Sequence, residues 1–437
     1  IANNGDRLGK NLWTERPNGD PIRVYAAFND LDEAHYIART LDDRFRAGTA
    51  RRDMAILYRS NAQSRVLEEA LLRAQIPYRI YGGLRFFERA EIKNAVGYLR
   101  LMQQRDDDTA FERVVNTPTR GIGDKTLELL RQVTREEKIS LWAAAEAVLK
   151  GKLLPTLASG KLAAFLQLIE TLDLNTREVP LGELIEAVIE QSGLVLHHQK
   201  EKGEKGQARV ENLRELISAA REFEVEDDEA PSALAAFLDH AALEAGEQQA
   251  GEFEDAVQLM TLHAAKGLEF PIVFLAGFEE GLFPHEMSLK DGNIEEERRL
   301  CYVGITRAMR ELYITYAEVR RLYGSENHHV PSRFLREMPE TLLEPVRVKS
   351  VPSAMSYRGG SSVPNSALPA NLKQTSLGGD ATGDGSWSLG QRVAHPRFGE
   401  GVILAFEGNG PNARIQVNFA DLGSKWLVAQ YARLTRI

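Results

Sequence analysis

Residues 257–315 read VQLMTLHAAKGLEFPIVFLAGFEEGLFPHEMSLKDGNIEEERRLCYVGITRAMRELYIT. An apolar run from Val257 to Leu262 breaks at His263 into a Lys266-Gly267 turn, and a second apolar run follows from Pro271 to Ala276. A charged segment of helical character then carries Arg298, Arg299 and Arg307 before a third apolar run, Leu312 to Thr315. Short apolar runs bounded by turns fit strands buried on both faces of a parallel sheet. Strand ends and turns that offer a His, a Lys, a Glu and spaced arginines suit a phosphorylated ligand. The same pattern also suits an ordinary sheet core flanked by a solvated basic helix.

Upstream, residues 22–29 (IRVYAAFN) predict a strand and residues 30–48 a helix. A second strand, Asp53 to Tyr58, leads into Arg59-Ser60-Asn61 and another helix, and Pro77 introduces a third strand, Tyr78 to Tyr81. Alternating strands and helices at this spacing mean βαβ units, and such sheets collect ligands at the carboxyl ends of their strands. Tyr58, Arg59, Ser60 and Asn61 stand at one such end. They are either a ligand-facing cluster or the capping turn of the next helix, with Ser60 or Asn61 as N-cap.

From Gly82 to about Phe253 the pattern is helical, and strand-rich sequence resumes at Val257. This predicts an all-α insert (82–253) splitting an α/β parallel-sheet domain into two parts, 1–81 and 254–345. Within the insert, Thr119-Arg120-Gly121-Ile122-Gly123-Asp124-Lys125 opens a helix. A Gly-X-Gly turn there presents backbone N–H groups to a phosphate, the device that grips duplex backbone without reading sequence; a plain helix–helix turn has the same outline. EKGEKGQAR (201–209) reads as a flexible charged loop. The six acids among residues 222–229 read as a solvated flank, poorly suited to DNA. Tyr323 sits where it can stack on a base or simply lie at the surface. His328-His329 has no further ligand at metal spacing.

Residues 346–386, rich in Ser, Gly, Pro and Asn, predict a disordered linker. A compact β-barrel module (387–437) follows, with six basic residues against three acidic ones. The 437 residues suffice for several cores. A net charge of −9 argues against coating nucleic acid by bulk charge, so any basic site is local. One cysteine, Cys301, excludes an internal disulfide and a cysteine metal cluster and suits a reducing cytoplasmic compartment, buried and inert. No apolar run is long enough to cross a membrane.

The order of several long motifs, ILYRSNAQSRVLEEAL, YRIYGGLRFFERAEIK, NTPTRGIGDKTL, VQLMTLHAAKGLEFPIVF, EEERRLCYVGITRAMREL and LYGSENHHVPSRFL, resembles the C-terminal part of UvrD/PcrA-type superfamily 1A DNA helicases over essentially the whole chain. The resemblance implies a RecA-like subdomain (2A) interrupted by a helical subdomain (2B) that contacts duplex DNA, then a Tudor-like barrel tied to RNA polymerase binding. It implies ATP with Mg²⁺ as cofactor, single-stranded DNA and single-strand/duplex junctions as substrates, 3′→5′ movement, and repair and replication proteins as partners. Glu269 matches the acid on the nucleotide sugar and Arg307 the arginine that reaches the γ-phosphate. Tyr58, Arg59, Asn61, His263 and Tyr323 match the single-strand track, and Thr119, Gly121 and Gly123 the duplex-gripping turn. No metal ligand is expected on this chain.

No G-x-x-x-x-G-K-[ST] loop and no metal-binding Asp-Glu strand occurs in the sequence, and the chain opens on Ile1. The expectation is therefore half of an ATPase site, inactive by itself, with the phosphate loop and Mg²⁺ site on a missing N-terminal half. A contrasting reading is a non-catalytic module that binds DNA and RNA polymerase. A helicase-nuclease subunit is disfavoured, since the tail holds a β module where nuclease acids belong.

Overall fold

The computed structural model describes residues 19–201, 203–223, 232–246, 254–322 and 325–346, and in the C-terminal region 392–395, 399–407, 414–419, 423–428, 432 and 434–436. The chain divides into two units, Ile1–Val351 and Pro352–Ile437.

The first unit is built on strands β1 (Ile22–Ala27), β2 (Met54–Tyr58), β3 (Tyr78–Ile80), β4 (Val257–Thr261), β5 (Phe270–Leu275), β6 (Ala308–Ala317), β7 (Val319–Leu322), β8 (Ser325–His328) and β9 (Leu343–Pro345). Seven of them form one sheet in the order β3-β4-β2-β5-β6-β1-β9, every neighbouring pair parallel, while β7 and β8 make a separate antiparallel hairpin. Successive side chains point to opposite faces, so each central strand feeds two cores. Ile56, Phe274 and Tyr313 pack on one face with residues of α1 (Asp30–Arg46) and α2 (Ser64–Arg73). Ala55, Leu57, Val273 and Leu275 pack on the other. Burial on both faces explains why these strands are near-continuous apolar runs instead of alternating ones. The predicted strand over 22–29 ends two residues early, because the Asn29 side chain accepts from the Asp32 amide at 2.8 Å and caps α1.

Between β3 and β4 the described residues form helices α3 (Ala90–Gln103), α4 (Asp108–Val114), α5 (Asp124–Glu137), α6 (Leu141–Lys150), α7 (Thr156–Thr176), α8 (Leu181–Gln191), α9 (Leu194–Gln199), α10 (Glu204–Glu222) and α11 (Ala233–Gly246) around their own apolar core. The loop expected over 201–209 is corrected: residues 204–209 are the first turns of α10. The Arg209 guanidinium reaches back to Glu201 at 2.6 Å, so charges that look solvated in sequence pair with one another along the chain. The linker expected from 346 onward falls, past residue 346, outside the described residues, as does the acidic run after Phe223.

After β5, α12 (Glu286–Lys290) and α13 (Ile294–Ile305) return the chain to β6, and α14 (Arg333–Arg336) precedes β9. Helix α13 lies close against the sheet. A Cβ at Gly304 would stand 2.6 Å from a Leu262 methyl and 3.2 Å from a Leu275 methyl, so any larger residue would have to displace these leucines. Cys301 is buried in the same layer and burial pushes its thiol up to about 12, as expected for an inert cysteine.

Arg320 at β7 is buried between two acids. It pairs with Glu279 at 2.7 Å and with Glu33 of α1. Glu33 also accepts from the Gly277 amide (2.8 Å) and the Thr315 hydroxyl (2.6 Å), and Glu279 from the Ala317 amide (2.7 Å). The β7–β8 hairpin is thereby fastened to the sheet.

The second unit is a five-stranded antiparallel sheet of β10 (Arg392–His395), β11 (Gly399–Glu407), β12 (Arg414–Phe419), β13 (Gly423–Val428) and β14 (Thr435–Arg436), in the order β13-β12-β11-β10-β14. The register shifts between Ile403 and Ala405, and Val393, Ile415 and Val417 are buried.

Arg320→Met strands two buried carboxylates. Loss of one partner of a buried ion pair costs about 3–5 kcal/mol, so the first unit's unfolding free energy from urea titration should fall by a matching amount; a change under about 1 kcal/mol means the pairs contribute little.

Candidate functional site

In an all-parallel sheet every carboxyl strand end lies on one edge. Along that edge stand Tyr81 after β3, His263 after β4 and Arg59 after β2, in sheet order. The ladder carries past the strands here: the Tyr81 amide donates to the Leu259 carbonyl at 2.8 Å and the Leu262 amide to the Tyr58 carbonyl at 2.8 Å. Tyr81 and His263 are exposed. Tyr81, in sequence only the last residue of a predicted strand, adds an aromatic ring to this edge. Its neighbours Gly82 and Gly83, and exposed Leu84, are the signal that the chain has left the core there.

Arg59 is held from behind. Its Nε and Nη2 donate to the Glu297 carboxylate at 2.8–3.1 Å, and Glu204 at the start of α10 lies 3.6 Å from Nη2. The same turn caps itself. The Gln63 side chain accepts from the Arg59 and Ser60 amides at 3.0 and 2.9 Å, and the Ser60 hydroxyl faces Ala62 and also donates to Glu211 at 2.6 Å. The capping reading of this turn therefore holds, with Ser60 as the N-cap. Asn61 is half-buried and its carbonyl accepts from Arg89 at 2.9 Å.

Tyr58 is corrected. It is 1% exposed within the sheet core, since alternation turns it inward beside Ile56, and its ring has no face open to a base. Tyr323 lies outside the described residues.

Glu269 and Arg307 stand on the opposite edge, where β5 and β6 begin. The Phe270 amide donates to the Arg307 carbonyl at 2.9 Å. The Arg307 side chain donates to the carbonyls of Val303 (3.0 Å) and Leu268 (2.7 Å) and to the Thr306 hydroxyl (3.0 Å). Three of a guanidinium's five N–H donors are thus occupied and two remain for an anion. Glu269 is exposed beside it. His263 and Glu269 are six positions apart in sequence, but the connection between them crosses the sheet from one edge to the other.

In the helical part, Gly121 adopts φ +73° and Gly123 caps α5, both exposed, with Ile122 between them anchored at 2% exposure. The Asn116 side chain accepts from the Arg120 and Ile122 amides (2.8 and 3.3 Å), which fixes the turn. Arg120 itself points inward, donating to the carbonyls of Val114, Pro118 and Ser192. Thr119, Asp124 and Lys125 around the turn are exposed, while the Thr126 amide closes the first turn of α5 on the Gly123 carbonyl at 2.9 Å. Among the described residues one cluster has metal-ligand geometry, His197, His198 and Glu201, but the Glu201 charge is already met by Arg209 and His198 at 2.6 Å each.

Residues 1–319 match the family model described as the UvrD-like helicase C-terminal domain, and residues 389–436 match the PcrA/UvrD tudor domain. DNA helicase II of Escherichia coli (strain K12) is 53% identical over 442 residues, and that of Salmonella typhimurium 53% over 439. ATP-dependent DNA helicase PcrA of Bacillus subtilis (strain 168) is 38% identical over 449 residues. Each alignment covers 100% of this chain and 59% of the relative, so the chain spans well under two thirds of their length.

Burial of part of its ring, and then the Arg59 charge, lower the His263 pKa below the ordinary histidine value. The folded state therefore binds this proton more weakly than the unfolded chain, and the group's contribution to stability falls as pH drops below about 6.5. An imidazole NMR titration should place His263 below that value, and Arg59→Gln should move it upward; no movement removes Arg59 from its surroundings.

Proposed function

Since this chain belongs to the UvrD-like helicase C-terminal domain family, we propose that it forms the second motor half of an ATP-dependent 3′→5′ translocase and helicase on single-stranded DNA, acting in repair and replication. The observation that carries the reading is the division of one sheet into two working edges. Arg59, Asn61, His263 and Tyr81 line the carboxyl edge, and Glu269 and Arg307 the amino edge.

On the carboxyl edge an exposed aromatic ring, an imidazole and a guanidinium in a row suit a strand that must pass regardless of sequence. Stacking is worth roughly 1–3 kcal/mol per base and tolerates any base. Tyr323, matched to the same track by its motif, is a further candidate for stacking.

On the amino edge the residues fit ATP from one side. Glu269 suits the ribose hydroxyls, and Arg307, with two uncommitted donors, suits the γ-phosphate. An arginine reaching a transferring phosphoryl group contributes about 10³–10⁵ in rate. ATP with Mg²⁺ supplies the cleavable phosphoanhydride, and its phosphate loop and metal ligands belong to a partner half that this sequence does not contain. Arg307 binds the outer phosphate across the cleft, so cleft closure depends on which nucleotide is present, and turnover becomes relative movement of two halves.

The parallel-sheet part corresponds in this reading to subdomain 2A, and helices α3–α11 to subdomain 2B. Thr119, Gly121 and Gly123 grip duplex backbone at the junction. The tudor unit is the docking module for RNA polymerase, other repair proteins are further partners, and the protein works in the cytoplasm.

The test joins two measurements. This 437-residue chain should bind oligo-dT yet show no ATP turnover, and in a longer protein carrying the phosphate loop Arg307→Ala should abolish most turnover while single-strand binding stays near normal. Turnover by the chain alone overturns the half-site reading, and full turnover by the variant removes Arg307 from the proposed role.

A Cβ at Gly123 meets nothing within 4 Å, so Gly123→Val should leave the fold intact. Its bulk on the outer face should weaken duplex and junction binding several-fold more than single-strand binding. Equal losses on both substrates would argue that the turn does not face the duplex.

A further inference from the structure

We infer that Glu297 is a positioning residue that transmits occupancy of the Arg59 site to Arg307 through helix α13. The inference rests on the reading above that Arg59 lines the single-strand track.

Glu297 is 3% exposed and saturated with donors. Besides the Arg59 fork it accepts from the His285 amide at 3.1 Å and the Ser288 hydroxyl at 2.9 Å. Burial opposes its charge, but the Arg59 hydrogen bonds and charge, with His285 and Ser288, hold the carboxyl below the usual carboxylate range, so it stays ionised. Nε and Nη2 of Arg59 are tied to α13, so its side chain, 11% exposed, has only Nη1 to offer a phosphate. A pull on Arg59 is therefore a pull on the first turn of that helix.

Ten residues later, about 15 Å along at 1.5 Å per residue, the same helix runs into the turn bearing Arg307. Leu300, Cys301 and Gly304 hold α13 against Leu262 and Leu275, with no gap at Gly304 to absorb a displacement. Close-packed interfaces transmit small shifts instead of dissipating them. The Thr306 and Arg307 amides, bonded to the carbonyls of Tyr302 (3.1 Å) and Gly304 (3.1 Å), report on this far end. His285 adds a branch, its Nε2 lying 3.1 Å from Glu211 of α10, so the start of α12 and the helical part share the same hub.

Hydrogen exchange of this chain with and without saturating oligo-dT tests the idea. In the unaltered chain, oligo-dT should change exchange of the amides at 304–307 by about fivefold or more, the lower end of ordinary coupling between sites. In Glu297→Gln, and separately in Arg59→Lys, oligo-dT at saturation should leave those amides unchanged, because lysine keeps the charge but cannot make the two-point bond. Thermal melts within a few degrees of the parent identify which variants are folded, and one folded variant suffices. The inference is overturned if a folded variant keeps the full response at 304–307, or if the unaltered chain binds oligo-dT with no response there. Failure of the unaltered chain to bind oligo-dT at all overturns the track reading, and this inference with it.

Discussion

Parallel pairing is the constraint from which the rest of the first unit follows. Two parallel strands cannot be joined by a tight turn, so every strand must be followed by a return across a face of the sheet. That requirement places all carboxyl ends on one edge and all amino ends on the other, and it covers both faces. It makes the strands of the sheet centre apolar throughout, as β2 is over its whole length. It also forces the short connection from His263 to Glu269 and the helix from Ile294 to Ile305 to cross the sheet in the same direction, from its carboxyl edge to its amino edge. A loop and a helix thus both join the edge bearing Arg59 to the edge bearing Arg307.

Much of this was legible because periodicity records burial. The apolar runs of the central strands, the change to helical spacing after Gly82 and the return at Val257 all survive as elements in the structure. Boundaries set by local hydrogen bonds were less visible. Asn29 ends the first strand early by capping a helix, and the charged stretch after Gly203 becomes helical because its charges have partners within reach in space. Spacing cannot show which ion pairs will form.

The site was legible in its residue types and illegible in its sides. Arg59, His263, Glu269 and Arg307 all stand at strand ends, as their motifs imply. Tyr58 does not join them, because it still lies within β2, whose two faces are both covered. His263 and Glu269, six positions apart in sequence, are separated by the crossover onto opposite edges of the sheet. Tyr81 went unnoticed because an exposed tyrosine ending a strand looks the same in sequence as a buried one. Arg120, conspicuous between Thr119 and Gly121, is spent on carbonyls inside the helical part.

The buried thiol of Cys301 has a practical consequence. It is the chain's single cysteine, and burial keeps it protonated at neutral pH. A cysteine introduced at any exposed position would be the one readily alkylated by maleimide reagents, with no background site to remove first. The chain is therefore suited as it stands to paired fluorophore or spin-label distance measurements, and α13 need not be disturbed to make them.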